Sequence, residues 1–142
     1  LTMAAFQKFN SFVEAMAEKK HNLGADTLRV MLTSVAPLNT DSIKTDITEI
    51  SAGNGYSAGG NIATVTSSAQ TSGVYKLVLA DPSTWTATGG AMASFRYAIL
   101  YNDDASNDEL IGYWDYGSTV TLADGDSFTV DFDPTNGVLT IA

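Results

Sequence analysis

The sequence predicts a mainly β fold, an antiparallel β-sandwich or jelly-roll-like body with one N-terminal amphipathic α-helix. Three observations predict it. Apolar residues recur at helical spacing only up to about Asn22. Beyond that point short alternating stretches are broken by glycine, Asn-Asp and Ser-Thr turns. No second long helical pattern and no strand-helix alternation follows, which argues against a parallel sheet. The chain therefore divides into residues 1–24, a helix that packs on a sheet or serves as an arm, and residues 25–142, the sandwich domain.

The helix is expected from about Met3 to His21. Ala5, Phe6, Phe9, Phe12, Val13, Met16 and Ala17 fall in one arc, with Gln7, Ser11, Glu14 and Glu18 opposite. Lys19, Lys20 and His21 suit the negative end of its dipole, and Gly24 is a natural stop. Thr27 to Ser34 alternates and reads as a half-buried strand, closed by Pro37. Ile43, Ile47 and Ile50 fit a turn or two of helix or an irregular loop. Gly53 to Gly60 is turn-rich, with a tight-turn signal at Asn54-Gly55.

Strands are then expected at Ile62–Thr66 and Val74–Ala80, with a short stretch opening at Trp85. In Phe95–Tyr101, alternation puts Phe95, Tyr97, Ile99 and Tyr101 on one face. In Leu110–Tyr116 it aligns Leu110, Trp114 and Tyr116. The acidic loop from Asn102 to Asp108 closes these two into a hairpin. Thr119–Leu122, Ser127–Phe132 and Val138–Ile141 complete the body, with turns at Asp124-Gly125 and Asn136-Gly137. A body with this many strands can close its own core, so the helix is expected to lie on a neighbouring chain.

Composition narrows the function. A chain of 142 residues fits one domain. Its net charge is −9, and neither Lys nor Arg follows Arg96. Such a field disfavours nucleic acid, whose phosphates need concentrated positive charge, and suits a basic protein surface or simple solubility. No cysteine is present, so thiol chemistry and zinc-thiolate sites are excluded. No apolar run approaches the ~20 residues of a membrane span, and the N-terminus does not read as a signal peptide.

Candidate chemistry is sparse. His21 is the only imidazole and lies in a Lys-Lys-His run, more suited to a helix end than to a triad. The Gly53–Gly60 segment lacks a phosphate-loop ending, so it reads as a tight connection or a loop that needs close backbone approach to a partner. Asn102 to Glu109 offers oxygens for Ca²⁺ without an EF-hand register, and a solvated hairpin tip is the simpler reading. Asp131 and Asp133 are read as an outward face opposite Phe128, Val130 and Phe132 rather than as glycosidase carboxylates. Phe95, Tyr97, Tyr101, Tyr113, Trp114 and Tyr116 are read as core, with carbohydrate stacking as the alternative. No catalytic residue, metal ligand or cofactor is expected.

Four segments resemble small virion structural proteins of tailed bacteriophages. They are Ala5–Ala15, His21–Thr33, Asp46–Gly60 with its Asn54-Gly-Tyr-Ser-Ala-Gly-Gly60 core, and Leu122–Asp133. The resemblance implies a non-enzymatic capsid decoration, or cement, protein. Such a protein would sit on the outer capsid surface of a particle assembled in the bacterial cytoplasm. Its partners would be the major capsid protein and further copies of itself. A neck, tail or head-fibre adaptor is the alternative role, and a carbohydrate-binding module the alternative class. The expected partner contacts are Phe6, Phe9, Val13 and Met16 on the helix, and Gly53, Asn54, Gly55, Tyr56, Gly59 and Gly60 in the glycine-rich loop.

Overall fold

The structure, a computed structural model, describes residues 5–142. Among them are ten strands and one helix, β1 (Gln7–Lys8), α1 (Ser11–Ala17), β2 (Leu28–Thr33), β3 (Asn61–Ala63), β4 (Val65–Thr71), β5 (Val74–Leu79), β6 (Trp85–Thr86), β7 (Phe95–Asn102), β8 (Leu110–Val120), β9 (Ser127–Phe128) and β10 (Leu139–Ile141). They form a five-stranded sheet ordered β1-β8-β7-β2-β3, a three-stranded sheet β10-β5-β4 and a β6-β9 pair. Every pairing is antiparallel. The fold is the mainly β, sandwich-like architecture that the hydrophobic pattern predicts.

The main core lies between the large sheet and the two smaller ones. Leu28, Val30, Leu32, Ala98, Leu100 and Trp114 meet Leu77, Leu79, Trp85, Phe128 and Leu139 across it. The opposite face of the large sheet is also buried. There Phe9, Met31, Ile99, Tyr101 and Leu110 pack with Ile47, supplied by the segment that follows β2. That segment crosses the sheet as a strap. Asn10 N–H donates to the Asn39 carbonyl at 3.0 Å, Leu110 N–H to the Ser42 carbonyl at 3.0 Å, and Ile50 N–H to the Leu32 carbonyl at 3.1 Å. A 3₁₀ turn at Lys44–Asp46 sets its bend, where the Asp46 carboxylate accepts from the Ser42 and Ile43 backbone. β2 is thus buried on both faces rather than on one, apart from Arg29.

The N-terminal helix is much shorter than its apolar spacing predicts. Its first expected residues lie outside the described residues, and Gln7–Lys8 is an edge strand paired with Tyr113 and Gly112. Phe6 packs against Trp114 at 5.3 Å and Phe9 against Tyr113 at 5.2 Å. These aromatics belong to the two different cores. In an extended chain residues three apart point to opposite faces, so a spacing of three serves a strand that buries one Phe on each side. Gly112 makes the room, since a Cβ there would lie 2.2 Å from the Phe6 ring.

α1 ends at Ala17 in a Schellman motif. Lys20 N–H donates to the Ala15 carbonyl at 2.8 Å, and Lys19 takes the left-handed conformation at φ 65°. Lys19, not Gly24, therefore makes the stop. Nor is the helix an arm, because Phe12 lies inside the main core and Ala15 is buried.

Two register shifts between β7 and β8 change which aromatics share a face. On β8 three extra residues lie between the partners of Phe95 and Tyr97, and one between those of Leu100 and Tyr101, and such insertions break the alternation. Phe95 consequently joins the main core, while Tyr97, Ile99 and Tyr101 face the strap. Leu110 likewise faces the strap, opposite Trp114 and Tyr116.

Candidate functional site

The glycine-rich segment folds around a two-residue turn. Gly53 and Tyr56 exchange backbone hydrogen bonds at 2.8 and 3.1 Å, with Asn54 at φ 51° and Gly55 at φ 103°. Two consecutive positive φ values are what an Asn-Gly hairpin turn requires. The loop lies flat against its own chain. A Cβ on Gly55 would be 2.0 Å from the Thr86 carbonyl oxygen, and one on Gly60 would be 1.9 Å from that of Val30. The close backbone approach expected with a partner is therefore made internally. Asn54 Nδ2 donates to the Ala91 carbonyl at 2.9 Å, and its own carbonyl accepts from Thr88 N–H.

Glu49, on the strap, is the hub of this region. Its Oε2 accepts from the Tyr56 hydroxyl at 2.5 Å and from Gly59 N–H at 2.7 Å. The same hydroxyl accepts from Leu32 N–H at 3.1 Å. The Tyr101 hydroxyl donates to the Gly59 carbonyl at 2.6 Å. Lys44 Nζ lies 3.6 Å from Glu49 Oε1 and 5.8 Å from the centre of the Tyr101 ring. Burial pushes both tyrosine hydroxyls well above their ordinary pKa, so both stay protonated. These groups tie strap, loop and central strand together, while Gly53, Asn54 and Gly55 stay exposed at the turn.

The acidic loop is spent in the same way. Asn102 is fully buried at the end of β7, and its Oδ1 accepts from Asp104 and Ala105 N–H. Asp104 accepts from Thr27 N–H at 2.6 Å, Asp103 pairs with Arg29 at 2.9 Å, and Glu109 accepts from Asn107 N–H at 3.2 Å. Among the described residues no group of three acidic, His or Cys side chains is placed to hold a metal ion.

His21 is not at an exposed helix end. It is 6 % exposed, packs on Phe12 at 5.5 Å and receives a hydrogen bond from Asn102 Nδ2 at 3.0 Å. Asn102 must present its amide nitrogen here, because its oxygen is already engaged. The ring nitrogen Nδ1 therefore accepts, and the hydrogen sits on Nε2, which has no partner. Burial holds the His21 pKa below its ordinary value, against the pull of Glu109 and Asp26.

The other expected contacts separate. Phe9 is fully buried and Tyr56 nearly so, and neither can touch a partner while the chain is folded. Phe6 and Met16 are half-buried against the main core. Val13, at 57 % exposed, stands free of the core. The aromatic run is core or core-flanking, with Phe95, Tyr101 and Trp114 buried, so stacking with a sugar finds no exposed Trp114 face. Asp131 and Asp133 point outward while Phe132 is buried, and Asp133 caps a turn by accepting from Thr135 and Asn136 N–H. Glu49 carries no signal in the sequence and Tyr101 reads there only as a core aromatic, since no local pattern ties either to the glycine-rich segment.

No family model, no curated protein and no solved structure matches this chain. No described helix is long and apolar enough to cross a membrane.

Proposed function

We propose that this protein is a non-enzymatic structural component of a tailed-phage virion, acting as a capsid decoration protein. The observation that carries the reading is what the chemistry-bearing segments do. Gly53–Gly60 and Asn102–Glu109 hold the largest concentrations of turn glycines and carboxylates, and both spend their polar groups on bracing the body. A sheet covered on both faces is a stiff unit, and stiffness suits a load-bearing protein more than a turnover site. The sequence resemblance supports the virion setting and the exterior position.

In this role the protein bridges major capsid subunits by many individually weak contacts, whose effect multiplies over the particle surface. The test is to locate the chain in intact particles and count its copies. Hundreds of copies on the head support decoration, whereas a dozen or fewer at the neck or tail overturn it in favour of an adaptor. Particles stripped of the protein are expected to lose resistance to heat and low salt. Unchanged resistance would remove the cementing role.

A further inference from the structure

An open groove runs between α1 and β10 and continues across the face of the three-stranded sheet. Its two halves share Met16 and Ile141, with Val13 on one wall. The first half alone encloses about 560 Å³. Thr140 and Ile141 both line it. Neighbouring side chains of a strand point to opposite faces, so a groove touching both follows the strand's edge. β10 is the outer strand of its sheet, and among the described residues no backbone hydrogen bond reaches it from the side away from β5. The wall is apolar, and the floor offers main-chain groups that no described residue pairs.

Charge identifies the occupant. Lys8 stands at one end of the groove and Lys19 at the other, and no Asp or Glu side chain lines either half. In a chain of net charge −9, the other described cations are mostly engaged. Arg29, Lys44 and Arg96 pair with Asp103, Glu49 and Asp115. Lys76 donates to the Thr135 carbonyl. Lys8 and Lys19 have no such partner among the described residues. His21 lines the Lys19 end, with its unpartnered Nε2 buried away from the groove surface.

We propose that this groove binds an extended, acidic-apolar peptide segment of a partner protein, which adds as a strand to the open edge of β10. Main-chain hydrogen bonds to β10 supply affinity, and alternate apolar side chains fill the space beside Val13 and Met16. Carboxylates of the segment meet Lys8 and Lys19. The inference rests on the groove alone and holds whether or not the protein decorates a capsid.

The test is selection from a random-peptide display library against the whole chain at low salt. Acidic residues alternating with apolar ones are expected in the enriched sequences. A selected peptide is expected to lose about tenfold in affinity on combining Lys8→Glu with Lys19→Asn, the latter chosen because Asn tolerates the left-handed backbone. Val13→Glu is expected to abolish binding, and alternate backbone N-methylation of the peptide to do the same. All three side chains are exposed, so unchanged thermal unfolding of the variants separates lost binding from lost folding. The proposal is overturned by no enrichment, by enriched peptides without acids, or by binding indifferent to these changes. It is also overturned if the chain self-associates through this groove, since the occupant is then a second copy. Particle localisation tests the role and peptide selection tests the groove, so each can fail alone.

Discussion

Alanine at Gly60 and alanine at Gly73 should have very different costs, although the two glycines have nearly the same backbone. Their φ angles are 74° and 84°. A left-handed conformation penalises a Cβ by about 1–2 kcal/mol. The reduced freedom of the unfolded chain returns roughly 0.4–1 kcal/mol. Gly73 tips the β4–β5 hairpin with nothing within 4 Å of the added carbon, so only these two terms apply and the net cost is about 1 kcal/mol. At Gly60 the added carbon would lie 1.9 Å from the Val30 carbonyl oxygen and 2.8 Å from Met31 Cα. β2 is paired on both sides, with β7 and β3, so it cannot step back. Forcing the strand and loop apart adds about 1–3 kcal/mol of overpacking, for a total near 3 kcal/mol. Equilibrium urea unfolding measures both. With a slope of about 2 kcal/mol per M, the two midpoints should differ by roughly 1 M. Equal shifts for the two variants would show that the glycine-rich loop is not seated on β2, and its assignment as an internal brace would fall.

Glu49→Gln and Tyr56→Phe should each destabilise by about 1–3 kcal/mol, the second because it strands the Leu32 N–H. The double variant should cost less than the sum, and a strictly additive urea result would deny the shared hydrogen bond. The His21 pKa lies below its unfolded value, so the unfolded state takes up the proton first. Its contribution to stability is therefore complete above about pH 6.5 and declines as the pH falls toward the depressed folded value, by at most about 1.4 kcal/mol per unit. Asp108, raised by burial and Asp103, works in the opposite sense, so the comparison is with His21→Gln, which retains Asp108 and should flatten the slope between about pH 7 and about pH 5. Trp114→Ala should cost about 3–5 kcal/mol by opening a cavity beside Phe6 and Phe132, and a variant as stable as the parent by calorimetry would contradict its place in the core.

What could be read from the sequence was whatever local pattern alone determines. β2, β5, β7 and β8 have alternating or continuous apolar runs bounded by turn residues, and they lie within a few residues of where the pattern puts them. The Asn54-Gly55 turn follows from two residues that tolerate positive φ. β4 was legible only at its start, because Val65–Thr71 is an exposed polar edge with no apolar rhythm beyond Val65. Alternation puts Phe95 and Leu110 on faces they do not occupy, because a bulge is a relation between two strands and leaves no mark on either one. For the candidate site, the glycine-rich segment was visible but its partner was not. Glu49 and Tyr101 reach it through tertiary contacts only.

The N-terminal segment shows why periodicity alone left the architecture open. Phe6, Phe9, Phe12 and Met16 satisfy a helical stripe, and an isolated chain gains little from choosing either conformation. The large sheet decides between them because it has two apolar faces, one under the smaller sheets and one under the strap. A helix placed on either face would leave the other without Phe6 or Phe9. An edge strand at Gln7–Lys8 supplies both faces at once and adds hydrogen bonds to β8. One helical stretch, Ser11–Ala17, then suffices to cap the main core with Phe12. The same choice leaves Val13 without a contact in its own core. The helical stripe is thus divided between self and surface, and the exposed remnant beside β10 is the part of it free to meet another protein.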